Sequence, residues 1–293
     1  MLIKVASICM TNEKEWVDGK LRYWYAQPEM TEQQVDATAQ FYLDKAVRLI
    51  EKAASNGAKM ACLPEVTIEI GKWLRTVSPA QRMAVARRWW ARMIETVGPV
   101  ARRAGMVVII CGVEPQGEDL FNSAAVIGDD GRLIGCYHKV HLTSGEAQWL
   151  KRGESFPVFD TRFGKAGVFI CWDVIYPEST QALGLNGAQI LFQPTYGHSG
   201  SMADPMARVR AHDAVCPLVV SMWNGQGVII DRDGKILAEA ERTRDWTDII
   251  PDQIIYAEVD PTAPRKWLGF EDTKAGLIAE RQWKTYGPLV GGQ

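Results

Sequence analysis

One cysteine of the chain stands at a position where protein thiols are often reactive. Residues 167–170 are apolar and predict a short buried strand, Cys171 follows directly, and Pro177 with Glu178 predicts that a helix begins soon afterwards. Free backbone amides and a nearby helix N-terminus favour the thiolate form and can bind an oxyanion. Cys171 is therefore a candidate nucleophile, and the alternative is an inert cysteine at the end of a buried strand.

A cysteine nucleophile needs a base, and none of the four histidines lies in a compelling catalytic context. Two other residues stand out. Glu65 follows Pro64 at the end of an apolar segment, where a carboxyl group would have a raised pKa and could move a proton. Lys139 ends a predicted hairpin strand, where its ammonium could stabilise a thiolate and a developing negative oxygen. Each could instead be an ordinary solvated charge at a strand end.

The nearest approach to a metal-binding pattern is formed by Cys136, His138 and His141. The first two would share one face of a strand, but His141 lies beyond the strand end, and Lys139 opposes a cation. Zinc needs three or four ligands, and no second cluster offers them. We therefore predict no metal site.

A basic segment with tryptophans, residues 87–92, raises the question of nucleic-acid binding. The simpler interpretation is a helix with a solvated basic face and inward-facing tryptophans. Because the net charge of the chain is −2, no global basic field attracts nucleic acid, and we predict no such partner.

The elements that must position these residues alternate between strand and helix, which predicts an α/β fold. Predicted strands cover residues 3–10, 59–63, 106–113, 121–127, 132–139, 167–170, 189–193, 218–222, 227–231 and 235–240. Predicted helices cover residues 31–55, 78–104 with an interruption or bend near Gly98-Pro99, a segment from 177, and 204–215. Two hairpins with Asp-Gly turns, one in each half of the chain, indicate a pseudo-duplicated two-sheet architecture. Residues 11–30 carry no assignable pattern.

Composition narrows the class of protein. The chain has 293 residues, 47% of them hydrophobic and 23% charged, as in globular proteins. The longest apolar run is about eight residues against the ~18 that a membrane helix needs, so we expect no membrane partner. The N-terminus does not have the form of a secretory signal, and the six cysteines include no closely spaced pair. We therefore expect reduced thiols and a cytoplasmic location.

Three ordered segments resemble the catalytic blocks of the nitrilase (carbon–nitrogen hydrolase) superfamily. They are Leu63-Pro64-Glu65, then residues 137–142, then Cys171-Trp172-Asp173 followed by Tyr176-Pro177-Glu178. With Asp173 and an intact Pro-Glu pair, the third block is similar to the amidase and carbamoylase branches. The resemblance covers most of residues 1–260, taken as a single domain, and residues 261–293 are expected to form a tail that packs on a partner subunit.

The resemblance implies a four-layer αββα sandwich that assembles into homodimers or larger homo-oligomers, with no metal or organic cofactor. It implies that Cys171 attacks the substrate carbon and that Glu65 moves the thiol proton to the leaving ammonia and then activates water. Lys139 and the backbone N–H of Trp172 would stabilise the oxyanion. Family members often carry a second glutamate after the lysine, for which Glu146 is the better candidate and Glu154 the runner-up.

The implied activity is hydrolysis of a small amide or N-carbamoyl compound through an acyl-cysteine. The alternatives are a nitrilase, an acyltransferase with the same acyl-cysteine, and a scaffold that has lost turnover. The expected pocket residues are Trp172, Gln193, Thr195, Tyr196 and Trp149. The chain departs from the family pattern at His138 and Ile175, where arginine is common, and in residues 66–71 after the glutamate block.

Overall fold

The computed structural model describes residues 1–12, 14–17, 20–23, 27–197, 203–241, 250–263, 265–267, 270–272 and 280–287. The chain divides into two compact units, Met1–Pro261 and Thr262–Gln293. The second unit contains strands Arg265–Trp267 and Phe270–Asp272, which pair antiparallel, and a short 3-10 helix at Trp283–Thr285. That the tail packs on a partner subunit stays a prediction.

The first unit contains two six-stranded sheets within its described residues. Its strands are β1 Ile3–Cys9, β2 Lys14–Val17, β3 Lys20–Tyr23, β4 Met60–Cys62, β5 Val107–Gln116, β6 Asp119–Ile127, β7 Leu133–His138, β8 Val158–Thr161, β9 Gly164–Val168, β10 Ile190–Thr195, β11 Leu218–Met222, β12 Val228–Ile230, β13 Ile236–Glu239 and β14 Gln253–Val259. Its helices are α1 Glu32–Ser55, α2 Gly71–Leu74, α3 Pro79–Ala104, α4 Pro177–Leu185 and α5 Ala203–Ala214, with a 3-10 helix at Cys171–Ile175. The sheet orders are β14-β1-β4-β5-β6-β7 and β13-β12-β11-β10-β9-β8, and β2 and β3 form a separate hairpin.

Alternation along the strands divides the apolar core into layers. In β5, Val107 and Ile109 pack between the two sheets, while Val108 and Ile110 pack on the opposite face together with residues of α1 and α3. In the second sheet, Leu191 packs with residues of α4 and α5. Full burial of such a side chain is worth about 1.5–3 kcal/mol. Helices therefore cover the outer face of each sheet, and the predicted αββα sandwich is confirmed.

The first long helix begins as its sequence predicts. The Thr31 hydroxyl accepts a hydrogen bond from the Gln34 N–H, and the Gln34 side chain accepts one from the Thr31 N–H, which forms a capping box. The next long helix was predicted to be interrupted or bent near Gly98-Pro99. No interruption occurs there, and α3 continues through Pro99 to Ala104. A proline inside a helix costs about 3 kcal/mol, and the packing of the buried flanking residues Val97, Val100 and Ala101 offsets that cost.

Some elements carry no clear sequence signal. Strands β8 and β14 were not predicted, and β2 and β3 lie in the segment that was left unassigned. Strand β14 pairs with β1 in register Ile3↔Val259, so a distant contact gives it its position at a sheet edge. No helix among the described residues combines the length and apolar composition needed to cross a lipid bilayer.

Candidate active site

Cys171 lies on a strained turn between a strand and a 3-10 helix. Strand β9 ends at Val168, and Cys171 begins the 3-10 helix with a φ of +44°. A left-handed conformation is costly for a residue with a side chain, and such conformations persist where the surrounding structure enforces them. Helix α4 begins at Pro177, as the sequence predicted. The turn therefore holds the sulfur at the end of the second sheet.

Asp173 holds this turn in place from its buried side. Its Oδ2 accepts hydrogen bonds from the Tyr137 hydroxyl at 2.6 Å and the Ile170 N–H at 2.8 Å. Its Oδ1 lies 2.9 Å from the His141 backbone nitrogen and 2.8 Å from the ring Nδ1. Since Tyr137 and His141 flank Lys139, one carboxylate joins the cysteine turn to the segment that carries the lysine.

Lys139 lies between two glutamates. Its buried Nζ is 2.8 Å from Glu65 Oε1, 2.8 Å from Glu146 Oε1 and 3.0 Å from Glu146 Oε2. Burial disfavours the ammonium, but the negative charges of Glu65 and Glu146 raise the pKa of Lys139 overall. Burial also opposes ionisation of Glu146, yet Lys139 keeps the pKa of that carboxyl below its usual value. The lysine is thus a fixed cation beside the cysteine.

Glu65 is oriented by groups from several elements. Besides Lys139, the Asn122 amide donates to its Oε1 at 2.7 Å, and the Tyr196 backbone N–H donates to its Oε2 at 2.9 Å. The Trp223 indole donates to its main-chain carbonyl at 2.7 Å. The side chain is 3% exposed, so it is buried beneath the cavity surface instead of solvated at a sheet edge.

The surroundings of Cys171 in the free protein favour the neutral thiol over the thiolate. Burial and the charge of Glu65 raise the pKa of Cys171 to about 12, although Lys139 acts in the opposite direction. The pKa of this thiol is therefore raised, whereas the sequence led us to expect a turn that lowers it. Desolvation and the negative charge of Glu65 both raise the pKa of the thiol, and together they outweigh the effect of the Lys139 ammonium.

A cavity of about 280 Å³ brings these groups together. It is lined by Glu65, Val66, Glu69, Gly71, Lys72, Arg75, Val113, Asn122, Lys139, Thr143, Glu146, Trp149, Leu150, Cys171 and Tyr196. Of the predicted pocket residues, Tyr196 and Trp149 are in this lining. The other three are not among the lining residues: Trp172 is 40% exposed, and Gln193 and Thr195 are buried in β10, where the Thr195 side chain hydrogen-bonds the Cys171 thiol.

The two candidates for the second glutamate are now separated in space. Glu146 contacts Lys139 and accepts hydrogen bonds from the Thr143 N–H and hydroxyl at 2.9 and 2.8 Å. Glu154 is exposed and does not line the cavity. Gly153 beside it donates its N–H to the Lys139 carbonyl at 2.9 Å, and an added Cβ would collide with the His138 carbonyl.

Asn122 and Glu69 were assigned no role from the sequence. Asn122 donates to both Glu65 and Glu146, so it bridges the two carboxylates. A signal was available for Asn122, since a polar pair with Ser123 interrupts an otherwise apolar strand. Glu69 had no comparable signal, because it follows Glu65 in a segment that departs from the family pattern.

The residues of the rejected motifs have other partners. His138 Nε2 lies 2.9 Å from Glu114, and its ring stacks on Phe121. Among the residues the structure describes, no group of three or more His, Cys, Asp or Glu is arranged to hold a metal ion. In the basic segment, Arg88 pairs with Asp36, and the Trp89 ring is buried.

Comparisons with known proteins identify the family of the chain. A family model described as "Carbon-nitrogen hydrolase" matches residues 26–267. The chain is 31% identical over 175 residues to a probable nitrilase of Schizosaccharomyces pombe, covering 56% of this chain and 64% of that protein. It is 28% identical over 269 residues to a citrullinase of Francisella tularensis, covering 81% of this chain and 91% of that protein.

Among solved structures, an amidase of Nesterenkonia sp. AN1 superposes with a TM-score of 0.72 at 18% identity, covering 98% of this chain and 99% of that one. At that identity the likeness concerns the fold. The match to the S. pombe protein spans less than two thirds of its length.

Proposed function

The chain belongs to the carbon–nitrogen hydrolase family, and on that premise we propose that it hydrolyses a non-peptide C–N bond of a small amide or N-carbamoyl compound. One observation carries the proposal: Cys171 lines the same small cavity as Lys139 and the two glutamates that flank this lysine. A nucleophile, a proton carrier and a fixed cation are the groups that acyl transfer through cysteine requires.

The reaction begins with a neutral thiol. As the sulfur of Cys171 attacks the substrate carbon, Glu65 takes the thiol proton, and the C=O electron pair moves onto oxygen. Lys139 and the backbone N–H of Trp172 stabilise that oxyanion. The oxyanion then collapses, the C–N bond breaks, and protonated Glu65 gives its proton to the departing nitrogen, which leaves as ammonia or an amine.

Water completes the cycle. Glu65, again a carboxylate, takes a proton from a water molecule that attacks the acyl-cysteine thioester. The C–S bond breaks, the thiol recovers its proton, and the acid is released. Glu146 and Asn122 keep Lys139 and Glu65 in place through both half-reactions, as their hydrogen bonds support.

A nitrilase is the second candidate, since two of the similar proteins carry that name. The test is ammonia release by the purified protein on a panel of primary amides, N-carbamoyl compounds and nitriles. Hydroxylamine in parallel reactions would reveal acyl transfer as hydroxamate. We expect release from amides or N-carbamoyl compounds, with loss of activity in Cys171→Ala.

The matched control is Cys136→Ala, which removes another partly buried thiol and should leave ammonia release unchanged. The hydrolase proposal is wrong if no compound is turned over and iodoacetamide labels Cys171 no faster than Cys136. Turnover of nitriles in preference to amides would favour the second candidate.

We also propose a cytoplasmic homo-oligomer. All six cysteines are free thiols, which suits a reducing compartment. Trp172, Ile175 and Tyr176 on the cysteine turn and Val209 on α5 are exposed apolar side chains. Arg210 donates to the carbonyls of Val174 and Ile175, so the helix and the turn present one surface, which a second copy of the chain would cover.

A further inference from the structure

The cavity contains charged groups that the proposed reaction does not use. Glu69, Lys72 and Arg75 line it together with the catalytic residues. All three come from residues 66–75, which follow Glu65, and Glu69 lies in the part, residues 66–71, that departs from the family pattern. Glu69 is 3% exposed, whereas Lys72 and Arg75 are exposed. The cavity therefore has a carboxyl group inside and two cations where it opens to solvent.

Glu69 is held rigidly but is incompletely hydrogen-bonded. The Asn12 amide donates to its Oε1, and Asn12 and Asn224 are joined by two hydrogen bonds of 3.0 Å. The Tyr196 hydroxyl lies 3.5 Å from its Oε2, a weak contact. A carboxylate accepts up to about four hydrogen bonds, so Oε2 retains capacity for a further donor.

The backbone at Glu69 is strained, as is common for residues at functional sites. Glu69 has a φ of +56°, which is unfavourable for a residue with a side chain. Burial raises the pKa of Glu69 to about 7, although hydrogen bonds from Asn12 and Tyr196 and the charge of Lys72 favour its ionised form. A cationic donor that hydrogen-bonds to Oε2 would further offset the cost of burying this carboxylate.

The two cations lie on one side of the short helix α2. Lys72 and Arg75 are three residues apart, so their side chains project from the same face. The Arg75 guanidinium lies against Gly145, where an added Cβ would come within 2.9 Å of Nη2. Gly145 precedes Glu146, so the Arg75 guanidinium lies beside the loop that carries the second glutamate.

We propose that Glu69, Lys72 and Arg75 form a subsite for the non-reacting end of the substrate, and that this end is zwitterionic, with an ammonium bound by Glu69 and a carboxylate bound by Lys72 and Arg75. The substrate class is an α-amino acid with a terminal carboxamide or ureido group. A purely anionic substrate would be repelled by Glu69, and a purely cationic one by the two cations. The inference rests on the proposed function, because it places the reacting end at Cys171.

Four probes of one length separate these charges: glutamine, 4-carbamoylbutanoate without the ammonium, 4-aminobutanamide without the carboxylate, and butanamide without either. Citrulline with its matched analogues tests the ureido form. We expect kcat/KM for the zwitterion to exceed that for each truncated probe at least about tenfold, the lower range for loss of a hydrogen bond between charged groups.

Variants assign the two charges. Glu69→Gln should lower the ratio of kcat/KM for glutamine over 4-carbamoylbutanoate at least about tenfold, and Arg75→Gln should do the same for glutamine over 4-aminobutanamide. Glu95→Gln and Arg102→Gln, exposed positions on α3, are the matched controls and should leave both ratios unchanged.

Binding to Cys171→Ala, measured by calorimetry, separates this inference from the proposed function. Tightest binding of the zwitterion by that variant supports the subsite even if the wild-type protein turns over none of the probes. Equal binding of all four probes, or tightest binding of butanamide, overturns the subsite. If the subsite is overturned in this way but the wild-type protein releases ammonia from butanamide, the hydrolase proposal is supported and only the subsite is wrong.

Discussion

At the scale of single residues, the balance of charge around the thiol controls the chemistry. Glu65 and Lys139 affect Cys171 in opposite directions, and burial adds to the effect of the carboxylate. A resting thiolate is therefore disfavoured, which keeps the nucleophile neutral until a substrate is bound. In the proposed reaction, proton transfer to Glu65 would then couple formation of the nucleophile to the attack itself.

Glu65→Gln should separate thiol acidity from catalysis. Removing the negative charge lowers the pKa of Cys171, so iodoacetamide labelling of this cysteine should become faster at mildly alkaline pH. Ammonia release should nevertheless fall by roughly 10²- to 10⁴-fold, because the base is lost. Labelling across pH, quantified by peptide mass spectrometry, and ammonia assays measure the two effects.

Glu154→Gln is the matched control for this prediction, since it neutralises an exposed glutamate outside the cavity. Slower labelling in Glu65→Gln would show that Glu65 does not oppose the thiolate. Retained turnover would remove Glu65 from the role of base.

At the scale of elements, local patterns predicted what local forces determine. The capping box at Thr31 and the Asp-Gly hairpins depend on neighbouring residues, and the strands Asp119–Ile127 and Leu133–His138 lie close to their predicted ranges. Strand β14 depends instead on its pairing with β1, more than 240 residues earlier in the chain (Ile3↔Val259). No local pattern predicts such a partner.

The site shows the same division. The ordered blocks predicted Glu65, Lys139 and Cys171, and these residues line one cavity, while their roles stay predictions. Glu69 could not be found in this way, because its place in the cavity depends on Asn12 and Tyr196, which are far away in the sequence. Trp172 was expected in the pocket because it follows Cys171 in the sequence. In the structure it is exposed and does not line the cavity, because the conformation of the turn, and not the distance in sequence, determines where a side chain points.

Asp173→Asn tests how elements are joined. Asp173 lies outside the cavity lining, but it accepts hydrogen bonds from Ile170, Tyr137 and His141. An asparagine has one acceptor oxygen, so buried donors lose their partner at a cost of about 2–3 kcal/mol. We expect lower stability in urea denaturation and, in addition, a fall in kcat per folded molecule, because the cysteine turn is no longer fixed to the lysine segment.

Two measurements distinguish this positioning role from a general loss of stability. Asp160→Asn changes an exposed strand residue and should leave both stability and kcat near the wild-type values. The pH dependence of Cys171 labelling should shift in Asp173→Asn, since the distance between the sulfur and its charged neighbours changes. An unchanged kcat for the folded fraction would limit Asp173 to a structural role.

At the scale of the whole molecule, hydrogen bonds join the outer helix α5 to the cysteine turn. The turn that carries Cys171 also carries exposed Trp172, Ile175 and Tyr176, and α5 holds it through Arg210. A partner subunit that covers this surface would therefore contact the turn that positions the proposed nucleophile. Assembly and activity are expected to be linked by this shared turn.

Val209→Asp tests that link. Val209 is 48% exposed on α5 in the proposed interface, so a charge there should leave the monomer fold intact but disfavour association of two apolar surfaces. Light scattering should show a wild-type oligomer and a variant shifted towards monomer at micromolar concentration. Ammonia release should fall with dilution in the same range. Leu237→Asp, on a similarly exposed apolar residue of β13, is the matched control and should remain oligomeric. A monomeric wild-type protein with full activity would contradict both the interface and its coupling to the cysteine turn.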